Sequence, residues 1–600
     1  MSFKLLRGGT VLVHDEHDHV NVLQNTDMLI EGNKIVEISQ GIQAPADAKI
    51  IDCVDRLISP GFVDTRTTQL RGRHANELLL EYFYSGNFNS SVFSAEDIFW
   101  GQLGGTMEMI NGGTTCVVDH AHLNYGPEYN ANAISATVAS GIRSIYGYCP
   151  TARVASWNPL VMDNNVLADE VINNLEELAS AAPFGDGRIT LGLAFDGWFL
   201  PKPSIISLFD KVAKLKIRTV TSHSVRTPSF GASNSLPKLI NSYGLLDDRF
   251  LFSHSNNMTP EEVELCHSKG FWISSTPDTE LQMAHGTPIC FDDKSGVQNR
   301  CSLGVDCHSN NSGDLLSQMR LALQSARGRS NENFNVNGKD PRSVYKTVEE
   351  AFNLGTIQGA RAVHMEDRIG SIAVGKVADL VIFDATSVAM VCAAQHDPVA
   401  AIVLHSSIAD VDSVIVDGNF RKRNGRLLPV HLDDVGRSIA DKETLEWKEV
   451  AKALVKGRER IQEKIDTHDV ENARKVTVER FHIDELRSSS TRWLERDASC
   501  ALGNISRFYL SIRRSLECCW GQRADALNRG FHECSHPQST LLPTVHGKIV
   551  YGLVHPQMAV RSLEAPSGMT RRHHNRRFAQ RGVSSQGRET GRSCRWSKGA

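Results

Sequence analysis

Six apolar runs between residues 57 and 306 end in side chains that can hold a metal ion or move a proton. LISPGFVDT ends at Asp64-Thr65-Arg66, and GTTCVVD at Asp119-His120 with His122 just beyond. RITLGLAF ends at Asp196, RTVTSH at His223, RFLFSH at His254 and CSLGVD at Asp306. Imidazole nitrogens and carboxylate oxygens are the donors of zinc-type sites. One strand-terminal histidine is unremarkable. His223, His254 and Asp306 at three separate run ends predict ligands that converge on one mouth. Glu280 and His285 fall in TPDTELQMAHG, read as a loop after the next apolar run and placed to contact a substrate. Cys307, beside Asp306, reads as a buried inert thiol.

The elements that must position these residues alternate. From 60 to 365, apolar strands are followed by helical patterns, as in RITLGLAFD and then PSIISLFDKVAKL. Such alternation predicts parallel strands with crossover helices. Its length fits an α/β fold of the (β/α)8 TIM-barrel type, whose working side chains sit at the C-terminal strand ends. Residues 1–59 and 366–430 read as short strands, each set too small to bury a face alone. They are expected to pair into one small β-sandwich. Residues 431–487 read as a charged helical extension. Residues 488–600 read as an irregular basic tail, disordered or not part of the protein's own coding sequence. Its last 110 residues hold 16 Arg and 2 Lys against 5 Glu and 2 Asp, with no hydrophobic period.

Composition excludes several classes. The chain has 600 residues, 41% hydrophobic and 22% charged, with a formal net charge of -4. That is a soluble globular balance, and no run approaches the roughly 18 apolar residues of a membrane span. The 13 cysteines are scattered, which predicts a reducing, cytoplasmic setting. The tail lacks the Lys-Arg mixing of nucleic-acid-binding arms, so no nucleic-acid partner is expected. There is no phosphate-binding G-x-x-x-x-G-K-[ST] run and no serine-nucleophile elbow.

Taken in order, ISPGFVD, GGTTCVVD, TSH (221–223), LFSHSNNMTPEEV, TPDTELQMAHG, LGVDCHSNNSGDLLSQMR and GSIAVGKVADLVIFD resemble the amidohydrolase superfamily of metal-dependent hydrolases. The likeness is to its cytosine deaminase and chlorohydrolase-like branch, over about residues 5–430. The resemblance implies a divalent metal, zinc or else iron or manganese, with His223, His254 and Asp306 as ligands. It implies Asp306 as general base and His254 as the holder of the attacking water or substrate. The expected reaction is hydrolysis of a non-peptide C–N bond of a small metabolite, in secondary metabolism by family impression, and a homo-oligomer is in keeping with related barrels. His223 is followed by Ser-Val-Arg, without the acidic residue that the resemblance implies for nucleoside-type deaminases.

One departure matters most. The family closes its first strand with His-x-His, and here Arg66-Thr67-Thr68 follows Asp64-Thr65. A guanidinium is no metal ligand. Either the sequence lacks a short piece at this point, or the chain is a catalytically impaired barrel kept for binding.

Overall fold

Strands β1 (Phe3–His14), β2 (Val20–Glu31), β3 (Lys34–Ser39), β4 (Lys49–Asp52) and β5 (Arg56–Pro60) open the chain. The computed structural model describes residues 2–68, 74–229 and 234–483, without the side chains of 66–68. The chain divides into Met1–Ser499 and Cys500–Ala600. The second unit, and the whole of the expected tail from 488 to 600, lies outside the described residues.

The barrel strands are β6 (Phe62–Thr68), β7 (Thr114–Ala121), β8 (Arg143–Tyr148), β11 (Ile189–Ala194), β12 (Val220–Ser224), β13 (Phe250–His254), β14 (Trp272–Ser275), β15 (Cys301–Leu303) and β16 (Asp306–Cys307). A small hairpin, β9 (Arg153–Trp157) and β10 (Leu160–Asp163), stands apart from them. Strands β8 and β13 are buried at every position, and β7 at all but its last. A strand covered on both faces needs a nearly continuous apolar run rather than alternation, which is how these segments read. Gly147 permits one tight approach, since a Cβ there would stand 2.7 Å from the Asp119 carbonyl oxygen.

The eighth strand is broken, and the break closes the ring. β15 pairs with β14, whereas β16 pairs with β6, Asp306 opposite Thr67. Between them the Val305 N–H donates to the Asp64 carboxylate at 3.3 Å. In the interior, Thr65 Oγ1 lies 2.6 Å from Ser274 Oγ and donates to the Leu303 carbonyl at 2.8 Å. The fold is thus a (β/α)8 barrel whose last strand changes partner just before Asp306.

The C-terminal strands β17 (Leu380–Asp384), β18 (Val411–Val416), β19 (Asn419–Arg423) and β20 (Arg426–Leu427) complete the sheet begun at the N-terminus. Its order is β20-β19-β18-β17-β5-β1-β2-β3, with β4 on β1. β17 runs antiparallel to β5, Leu380 opposite Pro60. Leu6, Val11, Met28 and Ile30 share one apolar cluster with Leu380, Ile382 and Ile415. Neither end buries this face alone, so both ends build the small β-sandwich beside the barrel. Helices Asp434–Ala440, Trp447–Ile465 and Val470–Arg480 follow. The second packs Val450 against Phe99 and Leu103, and its Arg460 pairs with Asp97.

One buried ion pair stitches barrel to sandwich. The Arg143 guanidinium, at the start of β8, donates to Asp379 at 2.8 and 3.2 Å and to Asp417 at 3.1 Å. Arg143 and Asp379 are 2% and 1% exposed. Removing one partner of such a pair strands a buried charge, at a cost of about 3–5 kcal/mol. Arg143→Met should lower the unfolding free energy by that order in a denaturant titration. Arg143→Met combined with Asp379→Leu should recover much of the loss.

Candidate active site

The site is assembled at the C-terminal ends of the barrel strands. His223 lies near the end of β12 and His254 closes β13, while Asp306 opens β16. One donor atom from each lies within 4.8 Å of the others. Two of the three sit on unusual backbone. His254 has φ +72°, with Ser255 after it at +54°, and Asp306 has φ +67°. Such left-handed positions cost non-glycine residues on the order of 1–3 kcal/mol and persist where the surroundings impose them. Here the strand ends twist sharply at the residues whose side chains converge.

Both imidazoles are held from behind. His223 Nδ1 lies 2.7 Å from an Asp196 oxygen, and Asp196 also accepts from the His223 N–H at 2.9 Å and from Ser222 Oγ at 3.0 Å. The same carboxylate reaches His120 Nε2 at 3.1 Å. Burial opposes ionisation of Asp196, but His223 and His120 outweigh it and hold the carboxyl well below its usual range. His254 is buried, with Nδ1 2.9 Å from Thr276 Oγ1 and 3.7 Å from Glu280 Oε1.

The segment expected as a loop around Glu280 is a short helix, Pro277–Gln282, with proline at its first turn. Glu280 is completely buried and accepts from the Thr276 N–H at 2.8 Å and from Ser275 Oγ at 3.1 Å. Its carboxylate braces the residue that holds His254. His285 is also buried, with its ring edge-on to His254 at 4.7 Å between centroids. Neither of its ring nitrogens has a hydrogen-bond partner. Burial, reinforced by His254, pushes its pKa down to about 3, so the ring is neutral, with one donor and one acceptor to give.

Further unsatisfied buried atoms gather in the same loops: Ser255 Oγ, Asn256 Oδ1, His308 Nε2, Asn310 Nδ2 and Asn311 Oδ1. Buried polar groups ordinarily find partners, and a concentration of exceptions at strand ends fits a surface built to meet a polar ligand. Cys307 is tied to Tyr82 Oη and Ser309 Oγ, both at 2.7 Å, and burial raises its thiol pKa. The thiol is buried, as expected. The His74 N–H donates to the Ser309 carbonyl at 3.0 Å, and the His74 ring faces Glu77 and Tyr82. The Arg66 side chain, in the place of the missing imidazoles, lies outside the described residues.

Sequence reasoning passed over the part played by Asp196, His120 and His122. The signal was present as Asp119-His120-Ala121-His122 at the end of β7. It counted for little because the two sides of the cluster, β7 and β12, are a hundred residues apart.

The amidohydrolase family profile matches residues 57–421. A 5-methylthioadenosine/S-adenosylhomocysteine deaminase of Pyrococcus abyssi is 26% identical over 451 residues, covering 72% of this chain and 96% of the relative. A 5'-deoxyadenosine deaminase of Methanobrevibacter smithii is 27% identical over 445 residues, covering 71% and 94%. Among solved structures, a zinc-bound adenosine deaminase from Xanthomonas campestris superposes with a TM-score of 0.62 at 22% identity, over 76% of this chain and 98% of that one. An atrazine chlorohydrolase from Arthrobacter aurescens TC1, complexed with zinc, gives a TM-score of 0.58 at 20% identity, over 75% and 100%. The structural likenesses establish the fold.

The bracing role of Glu280 is testable. Glu280→Ala leaves the Thr276 N–H buried without an acceptor and should cost about 1–3 kcal/mol of stability. Glu280→Gln, which keeps one acceptor oxygen, should lose less. Denaturant midpoints of the two variants check the order.

Proposed function

The chain belongs to the amidohydrolase family, and on that premise we propose a zinc hydrolase that cleaves a non-peptide C–N bond of a small metabolite. The observation that carries the reading is the convergence of His223, His254 and Asp306 within 4.8 Å at three strand ends. The donor set fits a divalent metal. Two imidazoles and a carboxylate are borderline ligands of the kind zinc takes in open, catalytic sites. When bound, such a metal supplies Lewis acidity and makes water acidic enough to act as a nucleophile near pH 7.

The chain's own residues do the rest. Asp306 accepts a proton from the attacking water and passes it to the departing nitrogen, the two halves of acid–base catalysis at one carboxylate. His254 has Nδ1 held by Thr276, which leaves its other nitrogen as the one that ligates the metal. His285 offers a neutral donor and acceptor to the substrate. Glu280 acts indirectly, by fixing Thr276, which holds His254. A small cavity of about 80 Å³ lies beside His223, lined by Ser224, Arg226, Asn234, Ser255, Asn256 and Glu262.

The relatives named for deamination of adenosine-type nucleosides favour an amino group on an sp2 ring carbon as the bond cleaved. Ser224-Val225-Arg226 after His223 brings no carboxylate to that turn, so ring recognition here differs from a nucleoside-type deaminase. No helix among the described residues is long and apolar enough to cross a membrane, and the described cysteines form no disulfide with one another. Both are in keeping with a cytoplasmic enzyme, and the family resemblance extends the proposal to a homo-oligomer.

A second reading has one feature in its favour: Arg66-Thr67-Thr68 stands where paired imidazoles are expected. On that reading the barrel binds a ligand without metal and without turnover. The two separate in one experiment, in which the zinc-supplemented full-length protein is incubated with amino-substituted heteroaromatic metabolites and ammonia release is followed. The hydrolase reading predicts release that falls about 10²–10⁴-fold in Asp306→Asn. A protein that retains only trace metal, or equal release from Asp306→Asn, contradicts it.

A further inference from the structure

A second group of imidazoles adjoins the site just described. Strand β7 ends at His120, and the His122 N–H donates to the His120 carbonyl at 2.8 Å. This tight turn brings the two rings side by side, 4.5 Å between centroids. His223, from β12, completes the group at 4.6 Å from His120 and 5.2 Å from His122. One nitrogen from each of the three rings lies within 4.8 Å of the others.

Three observations give this cluster the character of a metal position rather than of packed rings. The first is the Asp196 carboxylate, which touches both His223 and His120. A carboxylate behind a histidine is the usual outer support of a metal ligand, fixing its tautomer and raising its basicity. With Nδ1 donating to Asp196, ligation from His223 falls to Nε2. The second is the mixture of burial, since His120 is fully buried while His122 and His223 are partly open. Such a position has both rigid backing and access. The third is its place, because β7 pairs directly with β6, Asp119 opposite Thr67. A His-x-His on β7 therefore stands one strand away from the segment where the expected pair is missing.

We propose that His120, His122 and His223 form a three-imidazole position for a divalent transition-metal ion on the β7 side of the barrel mouth. The proposal rests on the reading of this mouth as a metal centre and deepens it. Three neutral nitrogen donors select zinc, cobalt, nickel or copper over magnesium or calcium, which take oxygen ligands. His223 belongs to both groups and has one ring nitrogen committed to Asp196, so it can complete only one of them at a time. An ion at the His120–His122 position and one between His254 and Asp306 therefore compete for that ring.

The test is a Co²⁺ titration of the metal-stripped full-length protein, followed by the visible absorption of bound cobalt, with hydrolysis assayed separately. His122→Ala, at a partly open position, and His120→Gln/His122→Gln, which preserves much of the volume of the buried ring, remove only the new group. His254→Ala/Asp306→Asn removes only the other. Changes even to outer-shell partners cost about 10–100-fold in metal affinity. The His120→Gln/His122→Gln protein should therefore lose at least about 100-fold in Co²⁺ affinity, with a changed spectrum, and His122→Ala should show the same direction. The His254→Ala/Asp306→Asn protein should still bind cobalt. Wild-type cobalt affinity and spectrum in both His122→Ala and His120→Gln/His122→Gln overturn the position. If hydrolysis is then still lost in Asp306→Asn, the proposed function stands without it. Cobalt bound through His120 and His122 with no hydrolysis in the wild type sinks the proposed function and leaves the metal position standing.

Discussion

The placing of the imidazoles at this barrel mouth centres on one carboxylate, that of Asp196. It lies two residues beyond β11 and binds His223 by ring and backbone while reaching His120 across the mouth. Its Oδ2 bridges His120 and His223 and helps to keep the rings in register, 4.6 Å apart. With it, two strands distant in sequence present imidazoles to a common space. An ionised acceptor also strengthens each hydrogen bond it receives. Asp196 is itself fixed by Ser222, whose hydroxyl accepts from Trp198 Nε1 at 2.8 Å.

The opposite side of the mouth uses strain in place of charge. His254 and Asp306 occupy left-handed backbone, held by Thr276 and Glu280 on one flank and by the partner change of the eighth strand on the other. Strain of this kind needs a rigid frame. The frame comes from a barrel buried on both faces and from a sandwich that the two chain ends build jointly, locked to β8 through Arg143 and Asp379. Local distortion at the site and the buried ion pair far from it belong to one mechanical scheme.

Much of this was legible in the residues. Apolar runs ending in His or Asp named the strand ends, because a strand covered on both faces leaves polar residues only where it emerges. The joint sandwich was legible because neither flanking set of strands carries enough apolar surface to stand alone. Other features were not. Pro277 and the residues after it form a helix where a loop was expected, since a six-residue helix is too short to show a period. Glu280 faces inward to the Thr276 backbone, and only tertiary contact reveals that. The break in the eighth strand depends on pairing with β6 and leaves no local mark. His120 and His122 were visible as types but not as a group, because their partner His223 arrives through the fold.

The central claim is that imidazoles of this mouth hold a metal ion. X-ray absorption at the zinc edge of the zinc-loaded full-length protein tests it most directly. The account predicts a first shell containing nitrogen at about 2.0–2.1 Å, with outer-shell scattering from at least two imidazole rings, weakened when Asp196 is replaced by Ala. An all-oxygen shell without imidazole scattering, or a spectrum unchanged in Asp196→Ala, would contradict it.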